Sequence, residues 1–217
     1  MTIKAVLLTL RDWKLWVFGT MYMFSTLTSY SFSYFAPLIL NAQMGFSGAN
    51  SQALSTPPYV WAFLLAMTVG HFSDHYKSRS PFLVFCSLNV VLGLCLTRWG
   101  PNTGSQYLGL FFIIGGAQGT GPTVISFAQN NAPTRIKRSV SSGLQLSFGA
   151  LGGIIGSTVF RSQDAPSYTP GIIVVLCGVV AIACLSIFMG VYLTQQNKLR
   201  KETGVVLEGQ RDFEYTP

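Results

Sequence analysis

The chain has 217 residues, of which 49% are apolar and only 10% charged, and its formal net charge is +7. A mean hydropathy of +0.43 with so few charges excludes an ordinary soluble domain, in which about a quarter of residues are charged; a chain this short has no interior large enough to hide so much apolar helix. The positive excess does not point to nucleic acid, because the basic residues are scattered over separate loops and form no single stripe.

Six apolar stretches read as membrane-spanning helices, at 16–39, 57–73, 81–98, 107–129, 140–160 and 170–193. Each is near the roughly 20 residues needed to cross a hydrocarbon core. The fold class expected is an all-α membrane protein of six helices, with a short N-terminal segment (1–15), a transmembrane unit (16–194) and a polar tail (195–217) expected to be disordered. Segments on one side carry Lys4, Arg11, Lys14, Lys77, Arg79, Arg135, Lys137, Arg138, Lys198, Arg200, Lys201 and Arg211; those on the other carry only Arg98 and Arg161. Excess Lys and Arg marks the cytoplasmic side, so both termini are expected in the cytoplasm, with the plasma membrane or an organelle membrane as the location.

The N-terminal segment is no signal peptide, since Arg11-Asp12-Trp13-Lys14 follows a mildly apolar stretch without a small-residue cleavage site. Trp13 and Trp16 suit an interfacial anchor. The first span is rich in Tyr22, Ser25, Thr26, Ser29, Tyr30, Ser33 and Tyr34, of which Tyr22, Thr26, Ser29/Tyr30 and Ser33 recur at helical spacing as one stripe. Such a stripe faces either a watery cavity or another helix. Tyr30 and Tyr34 are the better cavity candidates, because a phenol both stacks and hydrogen-bonds.

The loop 41–56 has no Lys or Arg, and Pro57-Pro58 is read as the start of the second span. That span ends in the turn Gly70-His71-Phe72-Ser73-Asp74-His75-Tyr76-Lys77-Ser78-Arg79, and Pro81 opens the third. The fourth span contains Gly115-Gly116-Ala117-Gln118-Gly119-Thr120-Gly121-Pro122. Gln118 lies near the midplane, where its amide must be either packing glue or a binding group, and Asn130 lies at the end of the same span. In the fifth span Gly149/Gly153 and Gly152/Gly156 are overlapping GxxxG pairs, which ask for a close-packed neighbour; Gln145 sits near its cytoplasmic end. The sixth span is plain and aliphatic.

Apart from Arg98 at the edge of the third, no Asp, Glu, Lys or Arg falls inside these spans. A carboxylate that couples transport to protons would therefore lie elsewhere. Cys86, Cys95, Cys177 and Cys184 form no CxxC pair, and His71/His75 at i, i+4 have no second ligand cluster, so no metal, cofactor or enzymatic centre is expected.

The turn beginning at Gly70 resembles the loop signature of the major facilitator superfamily through Gly70, Asp74 and Arg79, with His75 where a basic residue is usual and Lys77 where a second glycine is usual. The stretch from Asn130 to Gly171 resembles the fungal anion:cation symporter family of allantoate, nicotinate and pantothenate permeases. It does so through Asn130-Asn131, Lys137-Arg138-Ser139, Gly143-Leu144-Gln145, Phe148-Gly149, Gly152-Gly153-Ile154-Ile155-Gly156 and Asp164-Ala165-Pro166, with Tyr168 and Gly171; Thr56 to Ala62 resembles the family's eighth helix.

This resemblance implies the C-terminal six-helix half of a twelve-helix carrier, built from two inverted three-helix repeats (16–98 and 107–193). The expected substrate is a small organic anion carried with a proton, in a cavity to which Tyr30, Tyr34, Gln118, Asn130 and Gln145 are candidates. Gly70, Asp74 and Arg79 would form a cytoplasmic latch, or else simply a capped basic loop. The missing partner would be an N-terminal half from the same gene or a separate chain. The alternatives are a six-helix carrier that pairs with itself and a membrane protein that has lost transport.

Overall fold

The computed structural model describes residues 3–42, 44–160, 168–204, 206, 208 and 213–217. These residues are helices and connecting turns: α1 (Ile3–Leu10), α2 (Trp13–Ala42), α3 (Gly48–His75), α4 (Ser80–Trp99), α5 (Thr103–Asn130), α6 (Arg135–Val159) and α7 (Thr169–Thr203). Each of the six apolar stretches falls on one of α2 to α7, and the helices run past the apolar limits except at the end of α6, which stops one residue short, at Val159. Asp164-Ala165-Pro166, Arg161 and Arg211 lie outside the described residues.

Four helices, α3, α4, α5 and α7, are long and apolar enough to cross a membrane. At 30 and 25 residues, α2 and α6 are comparable in length but carry the hydroxyl stripe and the glycines. Polarity is distributed inside out. Val60, Phe63, Met67, Leu88, Ile154, Ile173, Phe188 and Val191 are exposed, while Ser25, Ser31, Thr120, Thr123, Ser141 and Ser186 are buried. Exposed apolar surface on this scale is costly in water and neutral in lipid.

The most extensive helix contacts are α2 with α6 and α4 with α5, followed by α3 with α5. On α6, Gly149, Gly152 and Gly156 press against α2: a methyl at Gly156 would stand 2.6 Å from the Leu27 carbonyl, and one at Gly152 would strike the Met23 carbonyl and Thr26. The close-packed neighbour that these glycines ask for is therefore α2. A second seam of the same kind joins α4 to α5, where a methyl at Gly93 would lie 2.6 Å from the Gly109 carbonyl.

Two expectations about helix limits change. Pro57 and Pro58 sit inside α3, which already begins at Gly48. Pro58 has no N–H for the carbonyl of Leu54, and the Tyr107 hydroxyl donates to that oxygen instead, at 2.8 Å. The polar residues from Gln195 on are expected in the tail, yet α7 continues to Thr203 and stops at Gly204, which takes φ +69 in the left-handed region that glycine tolerates. The described residues 213–217 lie against the bundle, with Tyr215 only 6% exposed.

Candidate transport cavity

The hydroxyl stripe of α2 divides between two tasks. Its inner side fastens α2 to the helices behind it: Ser25 shares a hydrogen bond with Thr120 at 2.9 Å and Ser29 donates to the Ala117 carbonyl at 3.3 Å, and Ser31, outside the stripe, donates to the Gly156 carbonyl at 3.1 Å. Tyr30 and Tyr34 turn outward, 46% and 62% exposed, with their rings stacked 6.2 Å apart.

Around these two rings lie two adjoining hollows. One, of about 460 Å³, is an open hollow between α2 and α6, with Tyr22, Thr26, Gly149, Gly153 and Ser157 among its walls. The other, of about 510 Å³, lies between α2 and α5, with Ser25, Ser29, Ser33, Gln118, Gly121 and Pro122. Tyr22, Thr26, Tyr30 and Tyr34 line both. No wall residue is charged. Each volume falls in the range typical of small-molecule sites.

Gln118 reaches the second hollow half-buried, and its amide has no partner among the described residues. Pro122, one turn on, has no N–H for the Gln118 carbonyl. Tyr30, Tyr34 and Gln118 are thus brought together. Gln145 is not with them: it is buried between α5 and α6, donates to the Val124 carbonyl at 3.4 Å, and leaves its Oε1 without a partner among the described residues. Asn130 is exposed at the end of α5 and lines neither hollow. Of the packing glycines, Gly149 and Gly153 also form cavity wall, a double role that their spacing alone did not signal.

At the end of the bundle where the basic loops meet, Arg79 is 7% exposed. Its guanidinium pairs with Asp74 and donates to Ser73 Oγ at 3.2 Å, while its Nε is buried without a partner among the described residues. Gly70 faces open space. Lys77 takes φ 48, which explains why the loop signature has glycine there: a side chain in the left-handed region costs about 1–2 kcal/mol. Nearby, Lys14 and Lys137 both donate to Glu208, Asp12 pairs with Lys137, and the Tyr215 hydroxyl donates to Glu208 at 2.7 Å. Burial would raise the Glu208 pKa, but the bonds from Lys137, Lys14 and Tyr215 and the charge of Lys14 reverse this and hold it at about 2. Burial and the facing Glu208 carboxylate push the Tyr215 phenol up. Sequence reading missed this cluster, because the bonds from Lys14 and Lys137 to Glu208 and Tyr215 span 71 to 201 residues.

Comparison with known proteins settles the family. The model of the Major Facilitator Superfamily matches residues 2–157. The chain belongs to the Major Facilitator Superfamily. It is similar to the high-affinity nicotinic acid transporter of Saccharomyces cerevisiae, 26% identical over 181 residues, which is 83% of this chain and 33% of that protein. It is also similar to the MFS-type transporter cnsO of Penicillium expansum, 30% identical over 148 residues, covering 66% of this chain and 28% of that protein. The major facilitator-type transporter hxnP of Emericella nidulans is 26% identical over 215 residues, covering 96% of this chain and 43% of that protein. The chain thus spans between 28% and 43% of the length of these three relatives. No solved structure matches it. As a member of this superfamily with helices long and apolar enough to cross a bilayer, the chain is an integral membrane protein.

Proposed function

We propose that this chain is the C-terminal, six-helix half of a carrier that moves a small organic anion across a membrane by alternating access, coupled to protons. The observation that carries this reading is the one-sided hollow of α2, α5 and α6: among the described residues it has aromatic faces, hydroxyls and an unpartnered amide, but no opposite wall and no charge. In facilitator-type carriers the substrate sits near the midplane between two such halves. The cation that pairs with the substrate's carboxylate, and the acid that carries the proton, would then belong to the other half.

α2 to α7 would cross the membrane six times, with the basic loops and both ends of the chain in the cytoplasm. The paired contacts α2–α6 and α3–α5 support two inverted repeats, α2–α4 and α5–α7, since exchanging the repeats turns one pair into the other. Asp74 and Arg79, with Gly70, would latch the cytoplasmic side. The name of the yeast relative favours an aromatic carboxylate as substrate, and the exposed ring faces of Tyr30 and Tyr34 suit one.

The test is the transcript upstream of Met1. Six further apolar spans in frame are expected. Proton-dependent uptake of nicotinate, allantoate or pantothenate by this chain alone, made in transport-deficient yeast, would overturn the half-carrier reading. The same open face also suits a separate second chain, which coexpression with the upstream half would reveal.

A further inference from the structure

The tail of the chain is held by contacts that a transport cavity does not require. Two side-chain amides read its backbone one residue after another. Asn197 of α7 donates Nδ2 to the Tyr215 carbonyl at 2.8 Å and accepts the Tyr215 N–H on Oδ1 at 2.9 Å. Asn131, the C-cap of α5, donates Nδ2 to the Thr216 carbonyl at 2.9 Å and accepts the Thr216 N–H at 2.9 Å. The backbone N–H of Arg79, which caps α4, donates to the Pro217 carbonyl at 2.5 Å. Extended backbone carries a donor and an acceptor on every residue, and an amide side chain is the group that satisfies both together.

Between these brackets the Tyr215 ring enters the bundle. It joins the apolar cluster of Phe18, Met21, Phe127 and Leu193, and the Lys14 ammonium stands 4.8 Å from its centroid. Its hydroxyl accepts from Lys14 at 2.8 Å and donates to Glu208. Glu208 then spans α2 and α6 through Lys14 and Lys137. In this way Glu208 and residues 215–217 touch the same end of α2, α4, α5, α6 and α7.

We propose that this end of the bundle is a peptide-binding site, and that Glu208 together with residues 213–217 fills it in cis as a clasp joining five helix ends. Its ligand class is an extended segment with an aromatic hydroxyl, read through the backbone by Asn131 and Asn197 and preceded by a carboxylate that neutralises two lysines. The clasp does not depend on what the carrier transports. It fixes α2 to α6 at one end, while the glycine seam fixes them along their length.

Amide hydrogen exchange on the full chain in lipid nanodiscs tests this, with a free peptide of residues 206–217 as reference. The Tyr215 and Thr216 amides are expected to exchange at least about tenfold more slowly than in the free peptide. In the N131A/N197A double variant they should return to the free-peptide rate, while the amides within α5 and α7 keep their protection and show that the bundle remains folded. Exchange of Tyr215 and Thr216 at the free-peptide rate in the unaltered chain would overturn the clasp. So would protection that survives removal of both asparagines.

Discussion

Two polar regions lie on α2, separated by about 24 Å along the helix from Lys14 to Tyr30, and they are opposites. At its beginning, Asp12, Lys14, Lys137, Glu208 and Tyr215 form a circuit in which each charge meets its counterpart. Midway along, Tyr30, Tyr34 and Gln118 face open space with no charge near them. A closed circuit holds helices in place. Open dipoles inside a membrane protein are available for something that arrives from outside, since leaving them unmet in lipid is costly. The contrast separates the two uses of polarity better than residue type does, because both regions contain tyrosines.

The largest expected effect concerns the seam that supports both regions. Gly152→Leu should lower the stability of the bundle by about 3 kcal/mol or more, since the added side chain meets backbone that cannot yield; Gly143→Leu, at a position with open space, should be close to neutral. Thermal unfolding of both variants in the same detergent checks this, and equal melting points would place the α2–α6 contact elsewhere.

Glu208→Gln breaks the closed circuit by leaving Lys14 and Lys137 with Asp12 as their remaining counter-ion, at a cost of about 1–3 kcal/mol. The pH dependence has a definite sign. Glu208 is held at about 2, below its ordinary 4.5, so its contribution is complete above 4.5 and is lost as pH falls toward 2. The stability gap between the unaltered chain and the variant should therefore be constant from about pH 5 to pH 8 and shrink only below about 4.5. A gap that changes near neutrality would contradict the assigned role.

In the open region, Gln118→Ala in the complete carrier should raise the half-saturation concentration roughly three- to tenfold, the worth of one hydrogen bond to substrate. Gln145→Ala should lower the melting point and leave half-saturation unchanged, because Gln145 is buried between helices. Equal kinetic effects from the two would erase the distinction between facing the hollow and facing a helix. The smallest effect is expected at the loop: Lys77→Gly relieves a positive φ and should stabilise by up to about 1 kcal/mol.

Much of the helical plan was legible because apolar length and loop charge are local properties. The six stretches mark α2 to α7, and the α6 glycines announce a close neighbour, though not that the neighbour is α2. Direction around a helix was not legible: Gln118 and Gln145 are both expected in the cavity, and only packing shows that one faces the hollow and the other faces Val124. α1 was missed because eight residues give too short a pattern. The tail was read as disordered from its polarity, since nothing local in Asp-Phe-Glu-Tyr-Thr-Pro reveals that Asn131, 85 residues earlier, pairs with its backbone. Lys77 was recognised as a departure from a glycine position, and the backbone gives the reason.

The central claim is that the face of Tyr30 and Tyr34 meets water inside the membrane while the outer belt meets lipid. Tyr34 at 62% and Phe63 at 64% are equally exposed, so exposure does not distinguish them and environment must. Single cysteines placed at each position, in a background freed of Cys86, Cys95, Cys177 and Cys184, can be challenged in membranes with a hydrophilic, membrane-impermeant maleimide. The account predicts ready labelling of Tyr34→Cys and none of Phe63→Cys. If Tyr34→Cys is as inert as Phe63→Cys, the hollow is a lipid-facing groove and the cavity reading fails.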